Sequence, residues 1–239
     1  MPRLSPGAYL QGGDRRIIDI NTSNLQERKI SMERVLIVVD MQNDFVAGSL
    51  GSQAAQEIVP KITKAIEEFD GYTIATMDTH GSPEYYLKTQ EGRNLPVPHC
   101  EHNSEGWKLY HDIEASIAST EVDPFMPKTY TKHEFGCVPM ARTLKFNSHK
   151  LKEIILVGVC TDICVISNAL LLKSYLPEVK IIVDADCCAG TTPERHDAAL
   201  EVMKSCQIVV VNGVNYRSIP DNDIEKTPEM IEESGSFPF

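Results

Sequence analysis

Short apolar runs alternate with segments of helical period along most of this chain, and that alternation restricts the possible folds sharply. Residues 35–39 (Val-Leu-Ile-Val-Val) read as a strand buried on both faces, ending at Asp40. Residues 53–69 place Ile58, Ile62, Ile66 and Phe69 on one helical stripe, and Gly71 stops that helix. A second strand over 72–77 ends at Asp78, and Tyr130 to Lys132 close another extended segment. A brief helix is expected over 139–146, a strongly apolar strand over 153–159 and a helix over 162–175. A strand over 180–186, a helix over 193–205 and a last strand over 207–211 follow. Strands and helices in this alternation form a parallel sheet covered on both faces. The expected class is therefore α/β: a three-layer, doubly wound, mostly parallel sheet with helices on both faces.

The 239 residues suit one such domain, with enough core to dispense with disulfide staples. Residues 1–33 are polar and weakly periodic and read as an N-terminal extension, a small hairpin or arm. The domain spans 34–214, and 215–239 form a polar, Pro-containing peripheral tail. The forty residues after Asp78 are rich in Gly, Pro and His and show no strong period; such long irregular stretches usually serve function.

A net charge of −11 repels phosphate backbones and anionic membranes, so neither nucleic acid nor a membrane surface is an expected partner. The seven cysteines form no CxxC pair and lie mostly among apolar residues. A reducing cytoplasm is the expected compartment. There is no signal-peptide pattern, and no apolar run is long enough to span a bilayer.

In open α/β sheets, sites form beyond the carboxyl ends of the strands. That rule selects Asp40, Asp78, the Gly158–Cys164 turn and the pair Asp184/Asp186. Cys164 would sit in the first turn of a helix, where the dipole lowers a thiol's pKa and free N–H groups bind an oxyanion. Thr161 or Asp162 is the expected cap. Asp40 has the chemistry of a general base toward that thiol. A partly buried Lys132 would orient the carboxylate and keep a thiolate charged. Asp78-Thr79-His80, with His99 downstream, supplies a carboxylate and two imidazoles suited to zinc, iron or manganese, and Glu91 is a possible fourth ligand. His102, His111 and His133 lack such context and read as surface residues. Each of these residues alone has an ordinary structural explanation: a core thiol, a turn former, a solvated lysine.

Together they resemble the isochorismatase-like cysteine hydrolases, in particular the nicotinamidase branch, over about 35–212. The segments carrying the resemblance are Asp40-Met41-Gln42-Asn43-Asp44-Phe45, Lys132-His133-Glu134-Phe135-Gly136 and Gly158-Val159-Cys160-Thr161-Asp162-Ile163-Cys164-Val165. The resemblance implies a catalytic triad of Asp40, Lys132 and Cys164. It implies a cis peptide at Val159–Cys160, with the backbone N–H groups of Cys160 and Cys164 as oxyanion donors. It also implies one divalent metal on Asp78, His80 and His99. The implied substrate is a small-molecule amide, nicotinamide first, and the implied assembly a homo-oligomer. Phe45, Leu95 and Phe135 are the expected pocket walls. The chain departs from the branch at 95–99, Leu-Pro-Val-Pro-His, where a Trp would be usual; its single Trp is Trp107. The alternatives are an amidase of the same fold acting on a carbamoyl or ureido compound, a vinyl-ether hydrolase of the isochorismate type, or a non-catalytic module that kept the fold.

Overall fold

The computed structural model describes residues 33–120, 126–213 and 216. The N-terminal extension, and the tail apart from Tyr216, lie outside the described residues. The elements in chain order begin with β1 (Arg34–Val39), α1 (Asn43–Val46), α2 (Gln53–Glu68), β2 (Tyr72–Asp78), α3 (Pro83–Tyr86) and α4 (Gln90–Asn94). Next come α5 (His111–Ser119), β3 (Thr129–Lys132), α6 (Val138–Phe146) and β4 (Glu153–Val159). The chain closes with α7 (Ile166–Tyr175), β5 (Lys180–Ala189), α8 (Pro193–Ser205) and β6 (Val209–Val211).

All five strand pairings are parallel, in the order β3-β2-β1-β4-β5-β6. Alternate residues of β1 go to opposite layers, as the two-residue period of a strand requires. Val35, Ile37 and Val39 pack with Met140 and Leu144 of α6, Ala169 and Leu172 of α7, and Met203 of α8. Leu36 and Val38 pack on the other face with Ile58, Ile62 and Ile66 of α2 and Ile113 and Ile117 of α5. The expected three-layer, doubly wound fold is the one observed. Among the described residues, no helix is long and apolar enough to cross a membrane.

This strand order reverses direction between β1 and β4. The crevice of a doubly wound sheet opens at that switch point, so the segments after β1 and β4 face one another across it. Close approach of the two strands there requires Gly158: its φ is +117°, and a Cβ would collide with the Val39 carbonyl oxygen.

Four expectations change. The stretch after Asp78 contains two short helices and α5, where Ile113 and Ile117 supply a narrow apolar face on a polar segment. The helix expected over 162–175 begins instead with a π-helical turn over Thr161–Val165, in which the Val165 N–H bonds to the Cys160 carbonyl. β5 runs on to Ala189, because the register shift between Leu156 and Gly158 lets Cys188 and Ala189 pair beyond it. Tyr216 is not peripheral: it is buried and its hydroxyl donates to Asp184 Oδ2 at 2.6 Å.

Candidate active site

Three strand ends place the proposed triad. Asp40 leaves β1 with φ +50°, a left-handed conformation that Asp tolerates better than most residues. Its carboxylate accepts from Thr76 Oγ1 at 2.7 Å on the neighbouring strand. Lys132 ends β3 fully buried, its Nζ 2.8 Å from Asp40 Oδ2, 3.2 Å from Asp78 Oδ1 and 3.4 Å from Cys164 Sγ. Cys164 lies in the turn after β4, following the cis peptide Val159–Cys160. Residues separated by more than 120 positions in the chain thus meet around one ammonium group.

The electrostatics correct one expectation. The Cys164 thiol is not acidified by its helix: burial pushes its pKa well above the ordinary thiol value, and the Asp40 carboxylate adds to the rise against the opposing pull of Lys132. Desolvation of a buried anion outweighs a helix dipole here. Burial likewise raises Asp40, with Lys132 opposing and Asp78 reinforcing. Burial disfavours the charge on Lys132, but the Asp40 and Asp78 carboxylates outweigh it and hold the ammonium charged. Burial thus raises both the Cys164 thiol and the Asp40 carboxyl, and the Lys132 ammonium opposes each rise.

Asp78 faces two ways. Oδ1 contacts Lys132, while Oδ2 lies 2.9 Å from His80 Nε2 and 3.5 Å from His99 Nε2. Glu91 Oε1 is 3.8 Å from His80 Nε2 and 4.0 Å from His99 Nε2. One ligand atom from each of these four residues falls within 4.8 Å of the others. His99 Nδ1 contacts the Val97 carbonyl at 2.8 Å, which assigns the proton to Nδ1 and leaves the Nε2 lone pair facing the cluster. Two imidazoles and two carboxylates in this arrangement fit one divalent cation.

Sequence reasoning assigned no role to the groups that hold these ligands. Gln42, fully buried, grips the Asp78 backbone from both sides: Oε1 accepts from its N–H at 2.7 Å and Nε2 donates to its carbonyl at 2.9 Å. Asp44 Oδ2 accepts from the Cys100 N–H at 2.8 Å, fixing the backbone directly after His99. Tyr86 stacks edge-on against His80 and His99, and its hydroxyl donates to the Leu95 carbonyl at 2.8 Å. The signal available for Gln42 and Asp44 was their place directly after a strand-end acid.

A cleft of about 830 Å³ opens above the triad. Phe45, Leu95 and Phe135 line it, together with Asp78, Glu91, His99, Cys160 and Cys164. The ring of Phe45 sits 5.4 Å from that of His99. Trp107 does not replace the absent aromatic wall; its indole N–H donates to Thr79 Oγ1 within the second core. His133 is exposed but lines the cleft, whereas His102 and His111 are exposed elsewhere.

Two other candidates are structural. Asp184 accepts from the N–H groups of Asp186 and Gly213 and from Tyr216, so it ties β5 to the chain after β6; the extension of β5 removes Asp184 and Asp186 from the strand end. Neither Thr161 nor Asp162 caps a helix. Thr161 Oγ1 meets His196 Nδ1 at 2.8 Å, and Asp162 accepts from the Thr191 N–H at 2.8 Å and from its hydroxyl, so both fasten the nucleophile turn to the start of α8.

Known proteins resemble this chain in sequence and fold. The family model described as the Isochorismatase domain matches residues 34–213. An isochorismatase family protein of Bacillus subtilis is 30% identical over 178 residues, covering 71% of this chain and 93% of the relative. A nicotinamidase/pyrazinamidase of Mycobacterium tuberculosis is 26% identical over 189 residues, covering 74% and 98%. Among solved structures, the pyrazinamidase of Pyrococcus horikoshii in complex with zinc superposes with a TM-score of 0.61 at 27% identity, covering 76% of this chain and 99% of that one. The nicotinamidase of Bacillus subtilis gives a TM-score of 0.62 at 26% identity, covering 76% and 100%.

Proposed function

The chain belongs to the isochorismatase family, and we propose that it is a cysteine-dependent amidohydrolase of the nicotinamidase type, converting nicotinamide and water to nicotinate and ammonia. The observation that carries this reading is the meeting of Asp40, Lys132 and Cys164 behind a cleft that Cys164 lines, beside a two-His, two-carboxylate cluster whose Asp78, Glu91 and His99 line the same cleft.

In the proposed mechanism the substrate carboxamide enters with its oxygen toward the backbone N–H groups of Cys160 and Cys164. Asp40 takes the Cys164 proton as sulfur attacks the carbonyl carbon, and the Lys132 ammonium offsets the negative charge that develops between them. Asp40 returns the proton to the departing nitrogen, ammonia leaves and a thioester remains. Asp40 then deprotonates a water that attacks the thioester, and the regenerated thiol takes the proton back as the acid departs. A raised Asp40 basicity suits both directions of transfer, which together supply roughly 10²–10⁴-fold. The nucleophile needs no resting thiolate, because the thiol ionises only as its proton reaches Asp40.

A divalent cation held by Asp78, His80 and His99, with Glu91 in reach, would supply a Lewis-acid position for a ring nitrogen. Zinc is the proposed ion, supported by the donor set and by the zinc named for the Pyrococcus structure. Elemental analysis of gently purified protein is expected to give about one metal per chain, falling to background in His99→Ala. Metal-free protein that hydrolyses nicotinamide at the full rate would remove the ion from the reading.

Phe45, Phe135 and Leu95 are the proposed ring contacts. Loss of an aromatic wall costs about 0.5–1.5 kcal/mol, roughly tenfold in affinity at most. The cleft is also at the upper part of the ~300–1,000 Å³ range of small-molecule sites, so larger aromatic amides fit as well. The test is ammonia release from nicotinamide and benzamide, which differ at the ring nitrogen. Nicotinamide is expected to have a kcat/KM at least about tenfold higher, the equivalent of ~1.4 kcal/mol. Equal values would mean that nothing reads the ring nitrogen. Absence of nicotinamide turnover, with turnover of a ureido or carbamoyl compound, would transfer the assignment to that amidase class.

The same proposal places one catalytic domain at 34–214, a cytoplasmic location and a homo-oligomeric assembly. The location is supported by seven free thiols, which suit a reducing compartment. The assembly rests on family analogy.

A further inference from the structure

We propose that Asn168 is a positioning residue for the reaction, fixing the spacing of the Cys164 thiol and the Lys132 ammonium by clamping the nucleophile's own carbonyl to the backbone that follows Lys132. The inference rests on the catalytic reading of Cys164 and Lys132.

Asn168 is fully buried near the start of α7, a helix whose other buried positions are Ala169 and Leu172. An amide in such surroundings is retained only if its hydrogen bonds are made. Asn168 Nδ2 donates to the Cys164 carbonyl at 2.8 Å and to the Phe135 carbonyl at 3.2 Å, and Oδ1 accepts from the Cys137 N–H at 2.8 Å. The first bond returns to the carbonyl four residues earlier, the pattern by which polar side chains bend helices. Here that carbonyl belongs to the nucleophile, at the end of the π-helical turn. The other two bonds hold the loop that leaves Lys132 and carries Phe135, a wall of the cleft. Cys164 and Lys132 come from elements that are far apart in sequence, and Sγ and Nζ meet at 3.4 Å. Asn168 joins the two segments directly behind that contact. No group of Asn168 reaches the cleft, so it acts through the two residues it holds.

Asn168→Ala and Asn168→Asp separate positioning from packing, with Leu172→Ala as the control. Asp is isosteric with Asn but, when ionised, cannot donate to the two carbonyls. Leu172 is equally buried in the same helix and does not line the cleft. Displacement of a catalytic pair by about 1 Å costs on the order of 100-fold, so both Asn168 variants are expected to lose about 30–100-fold in kcat with KM within ~3-fold. Leu172→Ala is expected to lower Tm at least as much with kcat within about 3-fold, because it removes packing but none of the hydrogen bonds to Cys164 and to the loop after Lys132. Asn168→Ser, whose hydroxyl can still bond back to the Cys164 carbonyl, is expected to recover part of the loss and covers the case in which the Ala variant does not fold. Alkylation of Cys164 by iodoacetamide, followed on its peptide by mass spectrometry, should show a displaced pH profile in Asn168→Ala and an unchanged one in Leu172→Ala. Wild-type kcat in Asn168→Ala beside an inactive Cys164→Ala overturns the inference alone. Equal kcat losses in Asn168→Ala and Leu172→Ala at equal Tm also overturn it. An active Cys164→Ala overturns the catalytic reading and the inference with it.

Discussion

Cys164→Ala is expected to remain folded and to lose at least about 10⁴-fold in kcat, the scale on which removal of a nucleophile acts when its partners work as a unit with it. The side chain lies in the larger of two apolar layers and is small, so its truncation leaves a cavity of little more than one sulfur atom. A Tm close to that of the wild type is the expected sign that only chemistry was removed. Cys164→Ser should be nearly as inactive, because a hydroxyl is far less acidic than a thiol and the site already disfavours the anion through burial. Cys160→Ala is the informative companion. Cys160 lines the same cleft, but its proposed contribution is a backbone N–H, so most activity should survive. Ammonia release under saturating substrate, beside thermal melts, decides the matter. Wild-type turnover in Cys164→Ala would end the nucleophile assignment, and loss confined to Cys160→Ala would transfer it to Cys160.

How much of this was legible in the sequence follows from what each element depends on. Strands buried on both faces have to be continuous apolar runs, so β1, β2 and β4 could be read within a residue or two of their observed ends. Their carboxyl ends then pointed to Asp40, Asp78 and the turn holding Cys164. The end of β5 was misplaced because it is set by a register shift against β4, a pairing irregularity with no local signal. α5 went unread because only Ile113 and Ile117 are buried on a helix that also lacks a side-chain cap. The acidity of Cys164 was read from its place at a helix start. The sign reversed because the pKa depends on burial and on Asp40, more than 120 residues away in the chain, and neither is visible in local sequence. Tyr86 and Asn168, which help hold the site, are legible only in three dimensions, because their partners lie on other elements.

Lys132→Met should be the most damaging substitution for stability. Met approximates the length of the lysine stem but leaves the Asp40 and Asp78 carboxylates facing one another in a site that is nearly closed to solvent. Removal of one partner of a buried ion pair costs about 3–5 kcal/mol, because the remaining charge loses its compensation. Turnover should fall to the level of Cys164→Ala, since no cation then offsets the thiolate as it forms. The pH dependence gives a second test. Burial raises Asp40 in the folded protein and Lys132 opposes that rise, so the variant holds Asp40 higher still. A carboxyl group raised above its unfolded value of about 3.9 contributes stability that is fully present below that value and is lost as the pH climbs through the folded pKa. The gap between wild type and Lys132→Met should therefore widen from pH 5 to pH 8 in urea denaturation. Asp40→Asn combined with Lys132→Met should recover much of the stability and none of the activity, because the double variant removes one buried charge together with its counter-ion. A Lys132→Met protein that unfolds at the wild-type urea midpoint at both pH values would show that the ammonium does not hold these carboxylates together, and the electrostatic account of the site would fail with it.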